Sequence, residues 1–344
     1  FGGNTLSTDK KYYLQVGALE PESDKYVNDS IHTTRGGNDF IIFLDRLKHH
    51  PAVESVCFTD MHRHYVWMNR GSMLYVDTLD VGTYTREVNP YYFRVFRVKS
   101  ADGSSPEQLA AKATPNGIII TENIVEKLFP QGSAVGQEVK LNNDTIPITA
   151  VCENQKYNEY TAHYRATYQI FNINNIAMRN VKSIPRLSVY IRVRSEADHT
   201  DFIRDFRNEM HSQLMIGNLY LEEMTSMKEV RDEHLKDYRN DLYTYLAVAL
   251  FFLMNVFLAV LGTFWFRTEQ RKGELGLRVA LGSSRMSMRS LLLNEGIVLL
   301  SIAFIPAMVV GYTLGHGDVV STWPVEFTMI RFIVTAIITY VLLL

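Results

Sequence analysis

Two long apolar runs near the end of the chain restrict what it can fold into. The segments Leu242–Phe266 and Gly296–Gly317 contain no Asp, Glu, Lys or Arg. Because about 20 apolar helical residues cross the hydrocarbon core of a bilayer, each run predicts a membrane span. The segment between them, Arg267–Asn294, is short and charged. The sequence therefore predicts a chain that crosses a membrane, turns within this segment, called here the elbow, and crosses back.

A third apolar run, Phe332–Leu344, is too short to cross a bilayer and predicts a partial span. We therefore expect residues 241–344 to form a truncated all-α transmembrane bundle. In the first span Asn255 is strongly polar, and its amide is expected to contact another helix, either in the same protomer or across a dimer. Pro306 is expected to kink the second span.

The charge of the connecting segments predicts an orientation. The opposite loop, His316–Ile330, contains no Lys or Arg. The basic residues of the elbow are Arg267, Arg271, Lys272, Arg278, Arg285 and Arg289. Short loops rich in Lys and Arg stay in the cytoplasm. The elbow is therefore predicted inside and residues 1–240 outside, in the periplasm, as expected for a multi-pass protein of the bacterial inner membrane.

Residues 1–240 are polar and Tyr-rich, and their pattern predicts an α+β domain. One strand–helix–strand half comprises Tyr12–Gly17, Asn38–His50 and Val53–Thr59, and the other comprises Leu187–Arg194, Asp198–Leu214 and Asn218–Glu223. Two such halves can pair into a split βαβ sandwich. A second mixed α/β lobe is predicted at about residues 65–177. It would contain the strand Gly117–Thr121, a helix capped by Thr121, and a hairpin turning at Asn142–Asp144.

No catalytic pattern occurs in the sequence. It lacks the phosphate loop G-x-x-x-x-G-K-[ST], H-E-x-x-H and G-x-S-x-G, and it has no basic, aromatic-rich face for nucleic acid. The histidine clusters His49–His50 and His62–His64 are interpreted as solvated or edge residues. We therefore predict no catalytic residue, no metal, no cofactor and no nucleic-acid partner. The abundant tyrosines and phenylalanines favour core packing over an apolar ligand groove.

Two cysteines, Cys57 and Cys152, lie in predicted strands. An oxidising compartment permits a disulfide between them. The alternative, which we favour, is two buried thiols. The separation of the two Cα atoms decides between them, and the sequence does not give it.

The elbow has its own predicted structure. Glu274–Leu281 is an amphipathic helix, Gly282 is suited to end it, and Ser283 or Ser284 is suited to begin the next helix. A stiff, charged turn of this kind suits a partner that pushes or pulls on it. The alternative is a plain surface turn whose charges only set the topology.

The elbow and its flanks also resemble a known family. The sequence RTEQRKGELGLRVALGSSRMSMRSLLLNEGIVLL at Arg267–Leu300 closely resembles the signature of FtsX-like/MacB-like ABC transporter permeases. The matching residues are Arg271, Glu274, Leu275, Gly276, Arg278, Ala280, Leu281, Gly282 and Glu295. Gly273 departs from the family pattern, which usually has a bulkier residue there. Gly117–Asn154 and Val88–Gly103 resemble the MacB-type periplasmic core domain. This resemblance implies a porter-like lobe from the two strand–helix–strand halves and a second lobe from the middle of the domain.

This resemblance implies a function. Such permeases have four spans, work as homodimers or paired permeases in membrane lipid, and are driven by a cytoplasmic ABC ATPase, fused or separate. The matching elbow residues would couple ATP hydrolysis to periplasmic movement, with export or extraction of a peptide, drug or lipoprotein. A periplasmic adaptor protein is a further partner that the resemblance allows. The alternative is an FtsX-type signalling or scaffold protein that regulates a periplasmic cell-wall enzyme without transport.

Overall fold

A computed structural model of the protein describes residues 8–60, 70–142, 144–156, 163–316 and 328–343. The chain divides into two compact units, an N-terminal unit, Phe1–Lys236, and a C-terminal unit, Asp237–Leu344. The predicted domain boundaries and the boundary of the second lobe stay predictions.

The strands lie in the N-terminal unit. In chain order they are β1 Lys11–Ala18, β2 Val53–Asp60, β3 Arg70–Val76, β4 Leu79–Val88, β5 Ile118–Thr121, β6 Glu138–Leu141, β7 Asp144–Cys152, β8 Gln155–Lys156, β9 His163–Tyr164, β10 Ala166–Ile170, β11 Leu187–Val193 and β12 Leu219–Ser226. Within the described residues, all but the short β8–β9 pair form one sheet in the order β10-β5-β7-β6-β3-β4-β2-β11-β1-β12.

The helices of the N-terminal unit are short. They are α1 Gly37–His49, α2 Tyr92–Phe96, α3 Pro106–Lys112, α4 Glu122–Leu128, α5 Ile173–Ala177 and α6 Phe202–Met210, with a 3-10 turn at Val181–Arg186. The longer helices that follow are α7 Met227–Gln270, α8 Lys272–Ala280, α9 Arg285–His316 and α10 Met329–Leu343.

One end of the sheet has the strand order expected from two interleaved strand–helix–strand units. β11 pairs antiparallel with both β1 and β2, and β1 pairs antiparallel with β12. Apolar side chains of α1 and α6 pack with these strands into one buried cluster, in which Phe40, Phe43 and Leu47 are fully buried. This packing follows from the spacing of those residues, which places them on one stripe of α1.

The rest of the sheet is built around β4 and β10, which pair in parallel from Ala166–Tyr84 to Ile170–Val88. A cluster rich in tyrosine and phenylalanine, including Tyr92, Phe93 and Tyr168, lies against this region. The first turn of α7 adds Met227 and Val230 to that cluster. A third cluster gathers the apolar side chains of β5, β6 and β7 with Ile124 and Leu128 of α4. Aromatic residues of the N-terminal unit therefore contribute to core packing.

Most of the predicted elements of the N-terminal unit are confirmed, including α1, β1, β2, β11 and β12. The helix predicted at Asp198–Leu214 is shorter, because it begins at Phe202 and ends at Met210. Asp198 lies outside it and accepts a hydrogen bond of 2.5 Å from the Tyr12 hydroxyl of β1. The residues predicted on its buried stripe are nevertheless buried, namely Phe202, Phe206, Met210 and Leu214.

Thr121 occupies the predicted N-cap position of α4, but its side chain makes no capping hydrogen bond. Its buried hydroxyl instead accepts a hydrogen bond from the Ala166 backbone N–H, 3.0 Å away, and donates to the Asn123 side chain. The hydroxyl thus joins the end of β5 to the start of β10. Of the predicted hairpin turn between β6 and β7, Asn143 lies outside the described residues.

The C-terminal unit contains most of α7 together with α8, α9 and α10. By length and composition alone, α7 and the part of α9 at Met286–His316 are apolar enough to cross a membrane. α9 and α10 pack against each other: the Ser301 and Tyr340 hydroxyl oxygens are 2.7 Å apart, and the Phe304 and Tyr340 ring centroids are 5.0 Å apart. The number of spans, the truncated bundle and the kink at Pro306 stay predictions.

Candidate functional site: the charged elbow

The elbow contains a short helix, α8, between the end of α7 and the start of α9. α7 ends at Gln270, and α8 begins two residues later at Lys272 after Arg271, which occupies the N-cap position. Of the α8 residues predicted to act, Leu275 is partly buried within the C-terminal unit, and Glu274, Gly276, Arg278 and Ala280 are exposed. The predicted helix Glu274–Leu281 is therefore confirmed with a small shift at each end.

A carboxylate of α9 joins the two ends of the turn. The Glu295 carboxylate oxygens each lie 3.0 Å from a guanidinium nitrogen, one of Arg267 and one of Arg271. Glu295 of α9 thus contacts Arg267 in the last turn of α7 and Arg271 at the N-cap of α8, which are 28 and 24 residues earlier in the sequence. We call this arrangement the Glu295 bridge. Since each partner is about one-third to one-half exposed, each pair is expected to contribute only about 0–1 kcal/mol to stability.

A second ion pair lies along α8. The Arg278 guanidinium is 2.8 Å from the Glu274 carboxylate, one helical turn earlier. The order of the pair, with Glu on the N-terminal side, suits the helix dipole as well as the partner charge. Two residues that were predicted to belong to the coupling motif are thereby brought together on one face of α8.

The end of α8 is fixed by backbone geometry. Gly282 has φ of +97°, which side-chain-bearing residues rarely adopt. The Gly282 N–H donates to the Val279 carbonyl over 3.0 Å, and the Ser283 N–H donates to the Arg278 carbonyl over 3.0 Å. These two bonds form a Schellman motif. Two residues later Ser284 begins α9, since its hydroxyl accepts from the Ser287 N–H over 3.2 Å. Of the two serines considered, Ser284 is therefore the N-cap.

The elbow also presents apolar side chains. Leu277, Val279 and Leu281 are 62%, 51% and 79% exposed, respectively. Leu277 and Leu281 are four residues apart and lie on the same side of the helix as the Glu274–Arg278 pair. Together they form a surface suited to a protein partner, because such contacts combine an apolar centre with a charged rim. Val279 points to a different side of α8. From the sequence, Leu281 was predicted as a coupling residue, whereas Leu277 and Val279 were not.

One N–H of the Asn255 amide has an acceptor in its own helix. Its Nδ2 donates to the Phe251 carbonyl of α7 over 2.7 Å, and the residue is exposed on the surface of the C-terminal unit. A contact between Asn255 and another helix stays a prediction.

The titratable groups buried in the N-terminal unit are part of its core. Cys57 and Cys152 are buried free thiols, as favoured from the sequence, and burial raises the pKa of both. Burial lowers the pKa of the Lys11 ammonium to about 7, with a smaller contribution from Arg192. His49 lies 3.3 Å from the Asp45 carboxylate on α1, whereas His62 and His64 lie outside the described residues.

Comparison with known proteins decides the family. The family model for the MacB-like periplasmic core domain matches residues 17–209, which is more than half of the chain. The chain belongs to the MacB-like periplasmic core domain family. This MacB-like assignment accounts for the strands and helices of most of the N-terminal unit, and the family is a permease component of ABC transporters. The elbow lies outside the matched residues.

Two solved structures are similar to parts of this MacB-like chain. One is the extracellular domain of the noncanonic ABC-type transporter YknZ from Gram-positive bacteria, with 14% identity, a TM-score of 0.37, and coverage of 61% of this chain and 100% of that one. The other is the periplasmic region of MacB from Actinobacillus actinomycetemcomitans, with 10% identity, a TM-score of 0.39, and coverage of 66% and 92%. No curated protein sequence matches the chain.

Proposed function

We propose that this chain is a permease subunit of a MacB-type ABC transporter whose elbow receives the movement of a cytoplasmic ATPase. In this proposal α7 and α9 cross the bacterial inner membrane, residues 1–240 lie in the periplasm, and the elbow lies in the cytoplasm. Membership of the MacB-like family supports the transporter class. The basic composition of the elbow supports the orientation.

The observation that carries the coupling role is the combination of the Glu295 bridge with an exposed α8. A partner that binds α8 can move α7 and α9 only if the segment between these two helices does not deform first. The bridge joins α9 to the end of α7 through Arg267 and to the start of α8 through Arg271, by two guanidinium–carboxylate contacts of 3.0 Å. The Schellman motif at Gly282 fixes the direction in which the chain leaves α8. Displacement of α8 would therefore pass to both long helices together.

The same geometry suggests how the ATPase is recognised. Leu277 and Leu281 would enter an apolar depression on the ATPase, and Glu274 and Arg278 would fix the register by charge. Residues that fill such a depression contribute more to affinity than the charges at its rim. In this proposal two permease copies, or a pair of related permeases, bind the ATPase together and export or extract a peptide, drug or lipoprotein.

Co-purification from native membranes tests this function. We expect an ABC ATPase to co-purify with the full chain, and Leu281→Asp to reduce the recovered ATPase by about tenfold, as loss of an apolar anchor predicts. Arg278→Glu should reduce it less and should abolish the stimulation of ATP hydrolysis by the permease. Arg289→Glu is the matched control, because it makes the same charge change on an exposed residue of α9.

Undiminished ATPase recovery with Leu281→Asp and full stimulation with Arg278→Glu would refute the coupling role. Equal losses with the Arg289→Glu control would also refute it, because the effect would then come from net charge alone.

A further inference from the structure

The N-terminal unit contains a cavity of about 770 Å³ beside β2. α1 lines one side of it, and the segment from the end of β4 into α2 lines another. Its apolar wall is formed mainly by Ile41, Leu44, Val56, Phe58, Pro90 and Phe171. A cavity of this volume lies within the range of about 300–1,000 Å³ that is usual for ligand sites.

One edge of β2 faces this cavity. β2 pairs with β11 along its length, from Leu187–Asp60 to Val193–Val53. On its other edge, within the described residues, pairing with β4 is confined to Thr59 and Val88. Both Ser55 and Val56, whose side chains point to opposite faces of the strand, line the cavity. Residues from both faces of β2 can line one cavity only if the cavity lies along an edge of the strand.

The polar backbone groups on this edge can be assigned from one observed bond. The Phe58 carbonyl accepts a hydrogen bond from the Asn89 N–H over 3.2 Å. The backbone N–H and C=O groups of Phe58 therefore point away from β11. Because the direction of backbone polar groups repeats every second residue in a strand, those of Val56 point the same way, toward the cavity. An extended chain lying there would find a donor and an acceptor at Val56.

Two cations stand at the rim of the cavity around one aromatic ring. The Lys48 ammonium of α1 lies 5.7 Å from the Tyr91 ring centroid, and the Arg94 guanidinium of α2 lies 5.3 Å from it. Among the residues that the structure describes, neither cation has a carboxylate within ion-pair distance. Both side chains and Tyr91 line the cavity.

Two of the three acidic residues that line the cavity form ion pairs with arginine. Glu54 lies 2.5 Å from Arg97 and 3.1 Å from Arg192, and Glu107 lies 3.8 Å from the Arg97 guanidinium. Asp45 lies 3.3 Å from His49, which is an ion pair only when the imidazole is protonated. Lys48 and Arg94 lie together around Tyr91, so this part of the rim is where an anionic group of a ligand would bind.

We propose that this cavity is a binding site for an extended acidic peptide, which adds as a short strand to the free edge of β2. The peptide backbone would bond to Val56, and an apolar side chain would enter the wall formed by Leu44, Phe58 and Phe171. A carboxylate of the peptide would lie between Lys48 and Arg94, beside Tyr91. Main-chain bonding then supplies affinity, and the apolar wall and the cations supply specificity, as in other strand-addition sites.

Fluorescence anisotropy with synthetic peptides tests this site on the full chain in lipid nanodiscs. The probe is a labelled pentapeptide that alternates valine and glutamate. The comparison peptides replace glutamate by lysine, or carry N-methyl groups on the backbone amides that would donate to β2. We expect the acidic peptide to bind, and both comparison peptides to bind at least about tenfold more weakly. The lysine peptide would meet the like charges of Lys48 and Arg94, and the N-methylated peptide would leave backbone groups of β2 without a hydrogen-bond partner.

Charge reversal of the protein supplies the second arm. The double variant Lys48→Glu/Arg94→Glu should lose about tenfold in affinity for the acidic peptide and gain affinity for the lysine peptide. The matched control is Lys127→Glu/Lys140→Glu, which makes the same charge change at exposed residues that do not line the cavity. This control should bind the acidic peptide within about twofold of the unmodified chain, a difference below about 0.5 kcal/mol.

Four results would overturn the proposal. The first is no binding of the acidic peptide by the unmodified chain, and the second is equal binding of the acidic and lysine peptides. The third is unchanged affinity in the Lys48→Glu/Arg94→Glu variant. The fourth is full binding of the N-methylated peptide, which would show a site for an anionic amphiphile in place of strand addition.

Discussion

At the scale of single residues, the buried ammonium of Lys11 makes the stability of the N-terminal unit depend on pH. Lys11 is 1% exposed, and burial lowers its pKa from 10.5 to about 7. Between pH 7 and 10.5 the unfolded chain therefore binds a proton that the folded chain does not. The free energy of unfolding should rise with pH across this window, and below pH 7 the full cost of the buried charge is present.

Replacing Lys11 by methionine should remove this dependence. We expect Lys11→Met to stabilise the unit most at about pH 7 and below, by an amount on the order of 3–5 kcal/mol. The stabilisation should become progressively smaller toward about pH 10. Thermal unfolding of the full chain, followed in the tyrosine bands of near-UV circular dichroism, measures this. Lys127→Met, at an exposed position, is the control and should leave the slope unchanged. An equal pH slope in Lys11→Met and the unmodified chain would contradict the assignment.

At the scale of elements, the termination of α8 depends on Gly282. A Cβ at this position would meet no atom within 4 Å, so the cost of Gly282→Ala comes from the positive φ alone, at about 1–2 kcal/mol. We expect the variant to loosen the bonds of the Gly282 and Ser283 amides. Hydrogen exchange of the segment 272–284, followed by mass spectrometry in nanodiscs, should become about five- to tenfold faster there.

Gly273 supplies a matched control in the same helix. A Cβ added at Gly273 would likewise meet no atom within 4 Å, but this residue has no positive φ. Gly273→Ala should therefore slow exchange or leave it unchanged, because alanine favours the helical state by about 0.5–1 kcal/mol. If both alanine variants exchange equally, the backbone conformation of Gly282 does not determine the end of α8.

Local patterns predicted most elements, because their determinants lie within a few residues. The stripe of Phe40, Phe43 and Leu47 predicts α1, and the sequence at Gly282–Ser284 predicts the break between α8 and α9. Thr121 lies at the predicted N-cap position, but its hydroxyl bonds to Ala166, 45 residues away, and the sequence did not show that contact. The Glu295 bridge spans 24 and 28 residues, so the sequence showed the matching residues but not their contact.

The cavity beside β2 was hidden for the same reason. Lys48, Tyr91 and Arg94 come from two helices and a connecting segment, and nothing in their sequence spacing brings them together. The incomplete pairing of β2 with β4 is likewise a property of the sheet order. Sequence composition favoured core packing for the aromatic residues, which holds for Tyr92 and Phe93 but leaves Tyr91 partly exposed at 38%.

At the scale of the whole molecule, the proposed function requires that residues 1–240 and the elbow lie on opposite sides of a membrane. The family match concerns residues 17–209 of the N-terminal unit, and the elbow belongs to the C-terminal unit. The proposed coupling therefore rests on two separate findings, the family of the N-terminal unit and the arrangement of charges in the elbow. The exposed Leu281 side chain is the position from which contact of the elbow with an ATPase can be tested most directly.

Site-specific photo-crosslinking at Leu281 in intact cells tests the central claim most directly. A photoreactive amino acid replaces Leu281 in the full-length protein, and cross-linked partners are identified by mass spectrometry, with the exposed Lys127 position as the control. We expect position 281 to cross-link to an ABC ATPase, and position 127 not to do so. Cross-links from position 281 to periplasmic proteins, or the same partners from both positions, would contradict both the orientation and the coupling role of the elbow.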